Sequence, residues 1–188
     1  MRDDYSLTPS PRCPLGSFAA QVASNPDTLD YASDTEMKSD EEYMGEALVE
    51  AAAARAAGEV PVGAVVLIDG EVKGRGHNLV ISTVDPTAHA EMIAIRNAAR
   101  RIGNYRLLGS TMYTTIEPCA MCAGAIVHAR ISRLVFGARD PRAGAVLSHF
   151  GVCTTEFLNH RLIVEEGVLE SDCRSMIQSF FRNKRELE

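Results

Sequence analysis

The sequence lacks both a long apolar segment and an apolar leader. No apolar run approaches the roughly 18 residues that a membrane-spanning helix needs. The opening Met1-Arg2-Asp3-Asp4 also lacks the apolar stretch of a secretory signal. The first absence excludes a helical membrane protein, and the second disfavours a secreted one. We therefore expect a soluble, cytoplasmic protein with no membrane partner.

A disulfide framework is also missing. Small secreted domains usually carry an even number of cysteines at regular spacings. This chain has an odd set of five, which contains one close pair: Cys13, Cys119, Cys122, Cys153 and Cys173. The pattern favours a reducing compartment and a metal-binding role for the close pair.

The third absence is an excess of basic residues. The formal net charge is −6, which by itself argues against a nucleic-acid partner. However, residues 1–42 hold nine acidic and three basic side chains, whereas residues 43–188 hold sixteen of each. The later part of the chain is therefore neutral overall and has room for basic patches. Candidates for such patches are Arg100, Arg101, Arg182, Lys184 and Arg185.

The composition predicts one folded domain preceded by a tail. A chain of 188 residues that is 46% hydrophobic can bury one sizeable core with some length left over. Residues 1–40 are rich in Ser, Asp, Pro and Thr and show no sustained periodicity, so they cannot bury enough apolar surface to offset the entropy of ordering. We predict a disordered acidic N-terminal tail over residues 1–40 and a folded domain over residues 41–188.

Strand-like and helix-like segments alternate along this domain. Apolar spacing and capping signals predict helices over residues 42–57, 87–101, 118–129 and 169–184. A short β-branched run predicts a strand over residues 60–68, and residues 71–80 continue as its partner strand. Further strands are predicted over residues 111–116, 131–137 and 161–164. The pair Asp69-Gly70 predicts a hairpin between the first two strands, and residues 138–160 look like a loop. This alternation predicts an α/β protein of three layers, α/β/α, with about five strands in its sheet.

Two motifs point to a metal. Cys119 and Cys122 lie three residues apart on a predicted helix, so both sulfurs can reach one ion. A redox pair or two buried small residues would explain a lone C-x-x-C equally well. His89 taken alone is also weak evidence for a metal site. An H-x-E motif at one helix start and P-C-x-x-C at the next, each after a strand, is however the arrangement of zinc-dependent deaminases. The combination predicts one zinc ion held by His89, Cys119 and Cys122.

Three protein ligands indicate a catalytic zinc, because the fourth tetrahedral position stays open for water. Zinc lowers the pKa of that water to about 7, and the resulting hydroxide can attack the ring carbon that carries an exocyclic amine. Glu91 lies two residues from His89 and does not share its helix face, so it should flank the metal and shuttle the proton. The alternative role for Glu91 is a carboxylate that simply stabilises a helix N-terminus.

Longer stretches resemble one family, the bacterial tRNA-specific adenosine deaminases of the cytidine deaminase-like superfamily. The similarity runs from about Glu42 to Arg185 and includes the zinc motifs. It also covers residues 58–64, 104–107, 123–125, 135–140 and 179–182. The resemblance implies a cytidine deaminase-like fold with a mixed sheet and a homodimer with one zinc per subunit. It implies an activity that converts the wobble adenosine of a tRNA anticodon loop to inosine.

The same resemblance assigns two substrate-binding residues. Asn78 matches an asparagine that contacts the target nucleoside, and Asp140 matches a residue near the bound RNA. The alternatives are that Asn78 caps a strand end and that Asp140-Pro141 initiates an ordinary turn. The stretch from Gly144 to Phe150 departs from the family pattern, as does the acidic tail.

Two other functions remain open at this level. A deaminase of a free base or nucleoside, such as cytosine or guanine, would use the same zinc and the same Glu91. A binding protein with a structural zinc would need a fourth ligand. The candidates for that ligand are Cys153, Cys173 and His128.

Overall fold

The computed structural model describes residues 38–186. Nearly all of the predicted tail, residues 1–40, lies outside the described residues. The elements, in chain order, are α1 Asp40–Ala56, β1 Gly63–Ile68, β2 Glu71–His77, α2 Val80–Thr83, α3 Ala90–Ile102, β3 Thr111–Ile116, α4 Ala120–His128, β4 Arg133–Ala138, β5 Ile163–Glu166 and α5 Glu170–Glu186. Among these residues, no helix is both long and apolar enough to cross a membrane.

The five strands form one mixed sheet in the order β2-β1-β3-β4-β5. Strand β1 is antiparallel to β2 and β3, whereas β3, β4 and β5 are parallel. One face carries α1 and α5, and the other carries α3 and α4. Each face has its own buried cluster, with Val65 and Val135 on the first side and Val66 and Phe136 on the second. The predicted three-layer α/β/α fold with five strands is confirmed.

Glycines in β2 let α3 lie unusually close to the sheet. A Cβ atom at Gly74 would stand 2.2 Å from the carbonyl oxygen of Ala94, and one at Gly76 would stand 2.4 Å from that of Ala90. No larger residue fits at either position while the helix stays where it is. This close packing fixes the start of α3, where the first zinc motif lies.

The helix starts differ from the predicted ones in ways that matter for the site. Helix α1 begins two residues early, because Ser39 and Glu42 form a capping box. Helices α3 and α4 begin later than predicted, so His89 and Cys119 are their N-caps and do not belong to the first turn. The short α2 was missed: its first residue, Val80, ended the predicted second strand, which stops at His77 in the structure.

A charged cluster joins four elements at the end of the sheet where β4 begins, opposite the end at which β3 leads into α4. The Arg133 guanidinium donates to both carboxylate oxygens of Asp40, at 2.9 and 2.6 Å, and also to Glu165. The Tyr113 hydroxyl donates to Asp40 at 2.6 Å. The start of α1 is thereby attached to β3, β4 and β5.

Candidate active site

Two helix N-termini bring the predicted metal ligands together. His89 and Cys119 are the N-caps of α3 and α4, and neither side chain caps its own helix. Both are free to face the same point, which Cys122 reaches from the first turn of α4. His89 Nδ1 lies 3.7 Å from Cys119 Sγ and 3.6 Å from Cys122 Sγ. The three donor atoms all lie within 4.8 Å of one another.

These distances fit a tetrahedral zinc ion. Bonds of about 2.3 Å to sulfur and 2.0–2.1 Å to nitrogen place N and S about 3.6 Å apart across a tetrahedral angle. In the part of the chain that the structure describes, this is the only group of three histidine, cysteine or acidic side chains close enough to share an ion. Cys153, Cys173 and His128 do not belong to the group. The donor set therefore leaves a coordination position open, as a catalytic site requires.

The three donors stabilise a negatively charged sulfur, the form in which cysteine binds metals. Hydrogen bonds from Cys122 and then His89 lower the pKa of the Cys119 thiol to about 3. The pKa of the Cys122 thiol is raised by its hydrogen bond with Cys119 and by burial. The hydrogen bond to Cys119 also raises the pKa of His89, although burial opposes it.

Glu91 lines the same space, and one of its two carboxylate oxygens has no hydrogen-bond partner. Its side chain is only 2% exposed, and burial raises the pKa of its carboxyl group. The Oε2 atom is the one buried side-chain oxygen or nitrogen among the described residues that has no hydrogen-bond partner. Such an orphaned group costs about 1–3 kcal/mol. A carboxylate oxygen with no partner, beside three metal donors, is available to bind a water molecule or a substrate.

These residues lie in a cavity of about 1230 Å³. His89, Glu91 and Cys119 line it together with Asn78, and the loop after β4 and the helix α5 line its rim. The rim carries five arginines: Arg139, Arg142, Arg174, Arg182 and Arg185. Arg139 pairs with Glu166 and Arg174 with Glu170, whereas the other three have no ion pair within residues 38–186. The cavity thus has an acidic and thiol-rich floor below a basic rim.

Asn78 connects the start of α3, at the floor of the cavity, to the segment around Val60. Its Oδ1 accepts a hydrogen bond from the backbone N–H of Ala90 at 2.9 Å, and its Nδ2 donates to the carbonyl of Val60 at 3.1 Å. The residue therefore caps the start of α3, which differs from the strand-end cap weighed as its alternative role. It also lines the cavity, and its contact with a nucleoside stays a prediction.

Asp140 also lines the cavity, at the start of the rim loop. Its Oδ1 accepts from the backbone N–H groups of Arg142 and Ala143, at 2.9 and 3.2 Å. This is the turn-forming role that Asx residues commonly play. Its proximity to RNA stays a prediction.

Two buried carboxylates that line the cavity were missed by the sequence analysis. Glu59 is 1% exposed and accepts from the backbone N–H groups of Ile81 and Ser82, at the start of α2. Glu117 is 2% exposed and accepts from the rim loop. The only signal in the sequence was an acidic residue next to an apolar stretch. Glu59 directly precedes Val60, and Glu117 directly follows Ile116.

The comparisons with known sequences agree with this geometry. The sequence model of the cytidine and deoxycytidylate deaminase zinc-binding region matches residues 37–138. The tRNA-specific adenosine deaminase of Haemophilus influenzae is 53% identical over 148 residues, which cover 78% of this chain and 86% of that protein. The tRNA-specific adenosine deaminase of Bacillus subtilis is 46% identical over 149 residues, covering 79% and 92%.

Solved structures show the same similarity. One from a study of A-to-I editing by tRNA:A34 deaminases at the wobble position of transfer RNA is 44% identical, with a TM-score of 0.70, and covers 72% of this chain and 98% of that chain. A guanine deaminase from Bacillus subtilis is 39% identical, with a TM-score of 0.52 over 54% of this chain and 66% of that chain.

The fold and the donor set define a zinc-dependent hydrolytic deaminase with a cytidine deaminase-like fold. More narrowly, the chain belongs to the family of tRNA-specific adenosine deaminases. The family resemblance and the zinc cofactor, both predicted from the sequence, are confirmed.

Proposed function

We propose that this protein deaminates the wobble adenosine of a tRNA anticodon loop to inosine by hydrolysis. The observation that carries the proposal is the buried, unpartnered Glu91 oxygen beside His89, Cys119 and Cys122, at the floor of a cavity with a basic rim. The names and descriptions of the similar proteins support the same substrate. Loop bases are already unpaired, so their insertion into a pocket is inexpensive.

In this proposal, His89, Cys119 and Cys122 hold one zinc ion. When bound, zinc supplies an activated water, effectively hydroxide, for attack on the carbon that carries the amine. Glu91 would take one proton from the attacking water and pass it to the adjacent ring nitrogen. It would then carry the remaining proton of the added hydroxyl group to the amine, which leaves as ammonia while the ring carbon becomes a carbonyl. Its burial keeps bulk water from competing for these transfers, and the α3 cap made by Asn78 holds it at the floor.

The rim favours RNA over a free base. Small-molecule pockets are usually about 300–1,000 Å³, and this cavity, at about 1230 Å³, is larger and reaches α5. Arg142, Arg182 and Arg185 line it without ion-pair partners among the described residues, so their charges are available to phosphates. We propose that these three arginines contact the RNA backbone while Asn78 contacts the target nucleoside and Asp140 lies beside the RNA.

We also propose a cytoplasmic homodimer, which the family resemblance implies. The chain exposes several large apolar side chains, which a subunit interface would bury. The most exposed are Val84, at 88%, Phe150, at 70%, and Phe157, at 97%. Sedimentation should give twice the mass of the 20.4 kDa chain, and a monomer at micromolar concentration would contradict the proposal.

The proposed substrate is tested with purified, zinc-loaded protein. An anticodon stem-loop with a wobble adenosine is incubated in parallel with free adenosine, guanine, cytosine and cytidine, and the products are separated by chromatography. We expect inosine in the RNA, and none from a stem-loop with guanosine in place of the target adenosine. Product from a free base or nucleoside alone would reject the RNA substrate and favour the other class of deaminase.

A further inference from the structure

The buried carboxylate of Glu117 binds both ends of the rim loop, which comprises residues 140–148. Glu117 Oε1 accepts hydrogen bonds from the backbone N–H groups of Val146, Leu147 and Ser148, at 3.1, 2.7 and 2.8 Å. Its Oε2 accepts from the backbone N–H of Asp140 at 3.2 Å and from the Ser148 hydroxyl. Five donors from one loop therefore converge on a single side chain. These bonds hold the pKa of Glu117 below its ordinary value even though burial opposes the shift.

The loop passes directly over the segment that precedes α4. The N–H of Ala145 donates to the carbonyl of Pro118 at 2.9 Å, and Gly144 forms a bridge with Cys119. A Cβ atom at Gly144 would stand 2.3 Å from Glu117 Oε2, so only glycine lets the loop come this close. The rim is thus attached to the strip of chain that carries a metal ligand.

The loop contains no helix and no strand. Ala145 and Val146 anchor its middle in the hydrophobic core. Backbone N–H groups in such a loop need acceptors. Glu117 accepts from four of the eight N–H groups of residues 140–148, and Asp140 and Pro118 accept from the other four. The outer residues Asp140, Arg142 and Ala143 line the cavity. The position of this wall therefore depends on a side chain that itself lies beneath it.

We propose that Glu117 is a positioning residue that keeps the rim loop in the shape that admits the substrate, so that it sets substrate affinity and not the rate of the chemical step. The inference rests on the proposed RNA deamination, because the loop carries Asp140 and Arg142. It assigns a role in substrate selection to a residue that is neither one of the three metal donors nor the proposed proton carrier.

The test is Glu117→Gln, which keeps the size of the side chain. The new NH2 group faces the N–H of Asp140, and two donors cannot form a hydrogen bond. The remaining oxygen is uncharged, so the hydrogen bonds that it accepts from the other end of the loop are weaker. We expect KM for the stem-loop to rise about tenfold with kcat within about twofold of the parent. Zinc should stay at one per chain.

Hydrogen exchange supplies a readout independent of substrate. In Glu117→Gln, the amides of Val146, Leu147 and Ser148 should exchange at least about tenfold faster. The amides of Ile81 and Ser82, which Glu59 holds at the other wall, should be unchanged. Ser148→Ala removes one of the five donors and should give a smaller change in the same direction, which also keeps the test usable if Glu117→Gln folds poorly.

Three outcomes would overturn the inference. They are unchanged exchange in the loop, an unchanged KM, or a loss of zinc or of kcat alone, which would mean that Glu117 acts on the metal segment. A parent protein that deaminates free bases but not RNA would instead reject the proposed function. In that case the exchange measurement still decides whether Glu117 holds the loop.

Discussion

The floor and the rim of the cavity are built in different ways. The floor is local, because its key side chains occupy the N-caps and first turns of α3 and α4, two helices packed on one face of the sheet. The rim combines α5 with a loop from the long connection between β4 and β5, which has no regular structure. Glu117, which lies 23 to 31 positions earlier in the chain, accepts hydrogen bonds from both ends of this loop. The metal chemistry is therefore carried by short motifs, whereas the shape of the substrate cavity depends on distant hydrogen bonds.

The comparison predicts separable effects. Changes to the floor should abolish zinc binding or the chemical step and leave the fold intact. Changes to the rim should alter substrate affinity and leave zinc binding intact. The cluster around Arg133, at the far end of the sheet, should affect only the stability of the fold.

The largest effect is expected from Cys119→Ala. With two donors left, the site should lose zinc and all measurable activity, since metal affinity depends on the full ligand set. Metal analysis and the stem-loop assay check this together. Cys153→Ala is the matched control: it removes a buried cysteine outside the donor group and should keep one zinc per chain. Full zinc in Cys119→Ala would contradict the assigned ligands.

Glu91→Gln should separate the metal from proton transfer. The amide keeps the size of the side chain but cannot accept the proton, so kcat should fall by about 10³ while zinc stays at one per chain. The measurement pairs single-turnover deamination with metal content. A variant that lost its zinc would show that Glu91 is a ligand and that the roles at the floor are wrongly divided.

The sequence was sufficient to predict the floor because its signals are local. H-x-E and P-C-x-x-C each lie within five residues. The strand before the first follows from the Asp69-Gly70 hairpin signal, and the strand before the second is rich in β-branched residues. Residues 80–83 show the opposite case: their composition favours a strand, yet the buried Glu59 carboxylate, 22 positions earlier, caps them as a helix. The five hydrogen bonds that the loop donates to Glu117 could not be predicted either, because a loop sequence does not show which distant side chain will accept its hydrogen bonds.

At the rim, Arg142→Ala should weaken RNA binding without changing the chemistry. Loss of one phosphate contact should raise KM for the stem-loop a few fold and reduce the salt dependence of binding by about one unit of slope. Arg100→Ala is the control, since Arg100 is exposed on α3 and does not line the cavity. Equal losses in both variants would indicate a nonspecific effect of charge and would remove Arg142 from the proposed RNA surface.

The smallest effect should come from Asp40→Asn, far from the site. Hydrogen bonds from Arg133 hold the pKa of Asp40 below its ordinary value of 3.8, although burial opposes this. The ionised carboxylate therefore stabilises the fold above that pH, and the contribution disappears as the pH falls through the lowered pKa. Because 35% of the side chain is exposed, solvent screens the pair and we expect a loss of about 1 kcal/mol at pH 7.

Urea unfolding of the parent and Asp40→Asn at several pH values measures this contribution. The difference in free energy of unfolding should be constant from pH 8 to 5 and should shrink below about pH 4, while KM and kcat at pH 7 match those of the parent. A difference that persisted at low pH would mean that the bond between Tyr113 and Asp40, rather than the ion pair with Arg133, accounts for the stability. A change in KM would mean that the two ends of the sheet are coupled, and the separation between floor, rim and far end would not hold.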